Sequence, residues 1–541
     1  MATHVAKYAR DSSLATPVAG HLNLLTDLSR DPVFLSGRVK PSPEFAQAML
    51  ALGKIAKTYA KASQKDHTAY QEWVKGQYLN DLGEVRAAKI AKLPALRKTA
   101  ATLGAEIQEL EAEARKATGY LNDWSSIRKF WDWLYTHNRA AWIVIDPVVS
   151  VQHDATFFEA FSIDESIYGR VKLPHSAVES ESIPIIGTTN IDFGLGMERE
   201  FSRIRSYRPL NLTVGSTAVE FKTDIASAVE KKIDLPDTWV RGLVEVQAAL
   251  VFAPMKICLN PLVLADIIAE LEKEREKHGP RSLKFVLSPG KPIQIELEPW
   301  GKTFLDPGNV FGGSEEAEIR VWGRRRLAVL KDLLAGAESL NVQLVGSGMP
   351  SFWTVIQDGI ELTVGLSGWT NLDWASRARF SSMIPTGSVP DQIVARAAAI
   401  LKTKVHLSPQ NLSDETELSI ALCRSALLKL CLAGKAMFDA GDGTYRWREL
   451  FVDFDLNKLP DLGLEERKGV ELHAAGSVKI KSVVWKDARR SVSSTVDHQE
   501  TKLETDVDGR VLYAECSCPN FRRNKLKQGP CRHLVALAAS E

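Results

Sequence analysis

Close to its carboxy end the chain carries Cys516-Ser517-Cys518 and, after a basic loop, Cys531-Arg532-His533, four soft metal ligands set out as two tight pairs. The pairs constrain the local fold. Val511 to Glu515 are rich in strand formers and follow the turn pair Asp508-Gly509, so the run reads as the second arm of a hairpin. Positions two apart on a strand share a face, which lets Cys516 and Cys518 aim both sulfurs at one ion. On a continuous helix such positions diverge by roughly 200°, so Cys531 and His533 cannot chelate together from inside one. Gly529-Pro530 supplies the break, and Leu534 to Ala539 is the helix that the second pair opens. Three thiolates and one neutral imidazole close a tetrahedral shell with no open position, which is the pattern of one structural Zn2+. The competing explanation is a tail crowded with reduced core cysteines and an exposed histidine. A Cys516-Cys518 disulfide would close a very small, strained loop.

This order, C-x-C, loop, C-x-H on a hairpin followed by a helix, resembles the SWIM-type zinc finger, with all four ligand positions present as Cys516, Cys518, Cys531 and His533. The resemblance covers only the tail of the chain, from Gly476 at the widest. It implies nucleic-acid or protein interaction. Two further segments are Trp322-Gly323-Arg324-Arg325-Arg326-Leu327, and Gly346-Ser347-Gly348-Met349-Pro350-Ser351-Phe352-Trp353 leading to Gly365-Leu366-Ser367-Gly368-Trp369-Thr370. Both are similar to segments of bacterial SWIM proteins often encoded beside MoxR-type AAA+ ATPases and von Willebrand A-domain proteins. That resemblance implies an adaptor or accessory role beside such an ATPase, with the zinc purely structural.

The other cysteines, Cys258, Cys423 and Cys431, are dispersed among apolar residues, so no disulfide framework is present. Sixty-eight Lys and Arg against 67 Asp and Glu leave a net charge of +1, so nucleic-acid binding requires a local patch. Met1 to Ser13 is polar without an apolar core, and no signal peptide is expected. The longest apolar region, Ala248 to Ile268, is interrupted by Pro254, Lys256, Asn260 and Pro261, a poor membrane span. A soluble cytoplasmic protein is expected.

The pattern along the chain predicts an α+β multidomain architecture. Residues 1–138 read as a helical region with a coiled-coil-like hairpin, in which Leu96, Ala100, Leu103, Ile107, Leu110, Ala114 and Ala117 recur at alternating four and three. That helix either packs on a neighbour or forms a dimerisation coil. Residues 139–385 read as a central mixed α/β domain, with strands at Trp142 to Ile145 and Val148 to Val151 and helices at Leu262 to Lys277 and Arg324 to Leu340. Residues 386–455 form a winged-helix-like unit: helices Asp391 to Lys402 and Thr416 to Leu432, then a hairpin through Gly441-Asp442-Gly443. Its last helix is apolar on most sides, with only Arg424 and Lys429 as cations, which favours structural or protein docking over base reading. Residues 456–541 are the zinc module, expected as ββα.

Candidate chemistry is sparse. Asp154, Glu159, Asp164, Glu165 and Asp192 could hold a divalent metal, but they stand among Phe157, Phe158, Phe161, Ile163 and Ile167, as in a sheet with one buried and one solvated face. Gly187 to Asp192 lacks the Gly-Lys-Ser/Thr ending of a phosphate loop. His153, His175 and Cys258 lie in no nucleophile constellation, so a non-enzymatic chain is expected. Arg324-Arg325-Arg326 reads as a salt-bridged helix start, or else an anion site. The zinc loop differs. Arg522, Arg523, Lys525 and Lys527, with Arg532 between the last two ligands, outnumber the one negative charge left by three thiolates on a divalent ion. With Lys479, Lys481, Arg489, Arg490 and Phe521, the surplus could meet the phosphates of DNA or RNA, or an acidic protein surface.

Overall fold

Short runs of alternating or wholly apolar residues make sheets dominate the body of the molecule. A computed structural model describes residues 33–58 and, apart from 451–463 and short connecting stretches, 147–540, together with the strand pair Ser13–Ala15 and His21–Asn23. The chain divides into two compact units, residues 1–60 with 145–541, and residues 61–144. The coiled-coil pattern at 96–117 and the strand expected at 142–145 fall outside the described residues.

The first unit is built on an eight-stranded antiparallel sheet. Its order is Met255–Leu259, Ser339–Leu344, Ser351–Gln357, Ile360–Leu366, Ile167–Pro174, Ala155–Phe161, Val148–Val151 and Gly187–Asn190. Helix Ser42–Lys57, opened by Pro43, buries Phe45, Met49, Leu52 and Ile55 against it. Gly169 permits that approach, because a Cβ there would stand 2.8 Å from methyls of Leu52 and Ile55. Strand Phe34–Val39, which falls in the region expected to be helical, pairs instead with Leu210–Gly215 and Val178–Ser180 in a five-stranded sheet. The two units part after residue 60 and after residue 144, beside the single boundary that the sequence pattern sets at 138.

Two further expectations need correction. Arg324 to Leu340 is not one helix: a 3-10 turn, Arg324–Leu330, opened by Gly323 at φ 76°, leads into the short helix Lys331–Leu334. Strand Ser339–Leu344 follows, and Leu340, Val342 and Leu344 alternate inward with a period of two, which overrides the helical reading. Nor is the outer face of the central sheet solvated along Ala155–Phe161. Helices Asp391–Thr403, Pro409–Thr416 and Ile420–Leu432 lead into hairpin Ala436–Asp439 and Thr444–Trp447. There are three helices where two were expected, because Glu417 at φ 59° ends the second and Ser419 caps the third.

The hairpin lies on the sheet through buried charge. Asp439 faces Arg170 at 3.3 Å, Lys172 at 3.4 Å and Arg446 at 3.1 Å. Arg446 also reaches Asp154 at 2.5 Å, while Arg448 pairs with Glu159, which also accepts the Tyr168 hydroxyl. Every residue of Ala155–Phe161 is buried as a result. Burial would raise the Asp439 carboxyl, but the surrounding cations outweigh it and hold it well below the usual carboxylate range.

Candidate metal centre

The carboxy-terminal module begins with helix Leu464–Ala474 and continues as a four-stranded meander, Val478–Lys486, Arg489–Val496, Gln499–Asp506 and Val511–Cys516. Helix Pro519–Asn524 follows, and helix Arg532–Ala539 lies on the sheet, burying Leu534, Ala536 and Leu537 with Val492, Val496, Leu503 and Ala514. The expected hairpin and helix are therefore part of a larger αββββαα unit.

Cys516 ends the last strand. Cys518 does not share a strand face with it; it is the N-cap of Pro519–Asn524, its sulfur accepting from Phe521 N–H at 3.3 Å while its own N–H donates to Cys516 Sγ at 3.4 Å. Cys531 caps Arg532–Ala539, with Gly529 at φ 86° just before it, and His533 sits in the first turn. His533 Nδ1 lies 3.7 Å from Cys516 Sγ. The four ligand atoms all lie within 4.8 Å of one another, and all four residues are buried. Donors each about 2.3 Å from one tetrahedral ion stand about 3.8 Å apart, so this is the size of a single coordination shell. Hydrogen bonding with Cys516 and burial push the Cys531 thiol up to about 12, and burial raises Cys518. Only a cation in place of the protons turns such thiols into ligands, and two helix N-termini add their partial positive charge.

Residues 502–540 match the family model of the SWIM zinc finger. The carboxy-terminal module is a SWIM zinc finger. Its ligand shell, Cys516, Cys518, Cys531 and His533, is the seat of one zinc ion. Outside the SWIM module the comparisons are faint, and no curated protein matches the chain. Among solved structures, the proliferating cellular nuclear antigen of Entamoeba histolytica is 9% identical over 42% of this chain and 89% of its own, with a TM-score of 0.31. The PCNA2-PCNA3 complex of Sulfolobus tokodaii is 12% identical over 42% and 90%, at 0.32. A putative DNA polymerase III beta subunit from Eubacterium rectale is 7% identical over 41% and 56%, at 0.31. Scores of this size establish no common fold.

Arg522, Arg523 and Lys525 of the SWIM loop are exposed, Lys525 at φ 51° with its ammonium 5.1 Å from the Phe521 ring centre. Lys527 lies outside the described residues. Arg532 is committed inward: its backbone N–H, Nε and Nη2 meet the Glu465 carboxylate at 2.9, 3.2 and 2.5 Å, pinning the first turn of Leu464–Ala474 to the site. Sequence reasoning missed Glu465; its only signal was a pair of acids at a helix start.

Several of the other candidates make structural contacts. Asp164 accepts from the Ser162 and Ser166 hydroxyls at 2.7 and 2.8 Å, and Asp192 lies outside the described residues. Arg324 is buried, donating to Ser282 O at 2.5 Å and Glu276 at 2.7 Å, and Arg325 joins it on Glu276. The salt-bridged reading of that cluster holds, though the site is buried instead of solvated. His175 Nδ1 faces the His153 carbonyl at 3.2 Å, and Cys258 is exposed on the edge strand Met255–Leu259.

Proposed function

We propose that the chain is a non-enzymatic interaction protein in which zinc holds the basic SWIM loop ready to contact the phosphates of DNA or RNA. One observation carries this reading: Arg522 and Arg523 stand exposed on a short helix whose cap, Cys518, is itself a ligand, Lys525 stands exposed just past its end, and no acid lies between Cys518 and Cys531. With Arg532 paired to Glu465, the exposed cations beside the thiolate site are the groups in reach of a phosphate. A cytoplasmic site of action belongs to the proposal; no helix among the described residues is long and apolar enough to cross a membrane.

Replacing Arg522, Arg523, Lys525 and Lys527 together by Ser tests it. Zinc content should stay the same while the log–log salt slope of duplex DNA binding falls by about 0.9 for each phosphate that is no longer neutralised. A wild-type chain without salt-dependent binding at low ionic strength would sink the proposal.

The three helices and hairpin of residues 391–447 have the element order of a winged helix. We read them as a buttress, because the hairpin is turned onto the central sheet and ion-paired there. Partnership with a MoxR-type AAA+ ATPase and a von Willebrand A-domain protein rests on resemblance. The segments that carry it serve packing: Gly348 N–H donates to Arg320 O at 3.0 Å, a Cβ on Gly368 would meet Gly348 O at 2.5 Å, and Trp353 is buried.

A further inference from the structure

The first strand of the meander, Val478–Lys486, is an edge strand, bonded among the described residues only to Arg489–Val496. Every residue from Lys479 to Lys486 is exposed, including Ile480 at 50%, Val484 at 53% and Trp485 at 59%. Natural edges are blunted by short length, proline, bulges and charges, lysine above all. This one carries three lysines and a bulge, but its nine residues without proline leave Ile480, Val483, Val484 and Trp485 exposed between them.

Its register sorts the side chains. Val478, Ile480, Val483 and Trp485 stand opposite Val496, Ser494, Val492 and Arg490. Val492, Ser494 and Val496 are buried on the side where helix Arg532–Ala539 packs, so the apolar row runs off the end of the core as an uncovered shelf. A bulge at Lys481 keeps Ile480 and Val483 in that row. The opposite face carries Lys479, Ser482, Val484 and Lys486, with Arg489 opposite Lys486 and no acid on the strand.

We propose that Val478–Lys486 is a docking edge for an extended peptide in which apolar and acidic residues alternate. Added as a fifth strand, such a peptide would take up the unpaired backbone groups of the edge. Its apolar residues would continue the row from Ile480 to Trp485, and its carboxylates would face Lys479 and Lys486 on the other side. The alternatives satisfy less of the surface. A second copy paired edge to edge would set lysines against lysines. A nucleic acid would meet the cations and stack on Trp485, leaving Ile480, Val483 and the backbone edge uncovered. This site is the edge opposite the zinc loop, and it goes beyond the phosphate-binding proposal.

The test uses the full chain and a fluorescein-labelled decapeptide of alternating valine and glutamate. Binding is expected, weakened about tenfold by Trp485→Ala, the size of one aromatic anchor removed. Lys479→Glu with Lys486→Glu should abolish it and confer binding of the matching valine–lysine peptide. These residues are exposed, so zinc content and melting temperature should not move, and the four-serine loop variant should keep peptide binding intact. No binding by the wild type, or binding indifferent to Trp485→Ala, overturns the proposal. So does displacement by oligothymidine with the same Trp485 dependence, or self-association that Trp485→Ala abolishes.

Discussion

Cys518 serves as ligand and as helix cap in one side chain, and the two duties can be separated. Serine at this position keeps a good cap, since hydroxyl oxygens favour N-caps, and gives up a soft thiolate. Cys518→Ser should therefore lower zinc from one ion per chain towards none while the body outside the module stays folded. Elemental analysis beside circular dichroism checks this, and equal zinc in both proteins would remove the assignment. The Arg532–Glu465 clamp makes a second prediction. Burial would raise the Glu465 carboxyl, but hydrogen bonds from Arg532 outweigh it and hold it below its ordinary 4.5. A carboxyl depressed in the folded state stabilises above its unfolded value and loses that contribution as pH falls through its folded one. Glu465→Gln should cost about 1 kcal/mol at neutral pH, as fits a partly exposed charge-assisted hydrogen bond, and the difference from wild type should vanish in acid. Denaturant titrations across pH measure it. The ligands were legible because each pair is local in sequence. The clamp was not, because its halves lie 67 residues apart.

At the scale of elements, the strand Ala155–Phe161 shows what a sequence withholds. Acids alternating with aromatics suit a half-solvated strand, and nothing nearby reveals that a hairpin from the far end of the chain supplies Arg446 and Arg448 to cover it. Arg324 to Leu340 was misread for a related reason: Leu330, Leu333 and Leu334 satisfy a helical period, and the switch to a strand period comes only after Ala337. Asp439 is the element-scale test. Asp439→Asn leaves Arg170, Lys172 and Arg446 buried around a neutral amide, and removing one partner of a buried charge set costs about 3–5 kcal/mol. The midpoint of urea unfolding should fall accordingly. Because the folded carboxyl titrates below its unfolded value, this cost should persist at mildly acidic pH and fade only as pH drops below the ordinary carboxylate range.

For the molecule as a whole, the hairpin unit is a structural partner of the central sheet. Helix Ile420–Leu432 packs on Asp237–Val251, and Phe438 N–H donates to Gln247 Oε1 at 2.5 Å. A fragment ending at residue 385 would leave Arg170 without Asp439 and Glu159 without Arg448, and would strip Met437 from Phe157. It should bind a hydrophobic dye and aggregate where the full chain does not, and a well-behaved soluble fragment would contradict this account. The Glu159–Arg448 pair also bears on descent. Neither residue is tolerable alone in the dry layer between sheet and hairpin, so a lineage that loses one must replace the other in step. Across relatives, alignment columns 159 and 448, 289 positions apart, should change together or not at all.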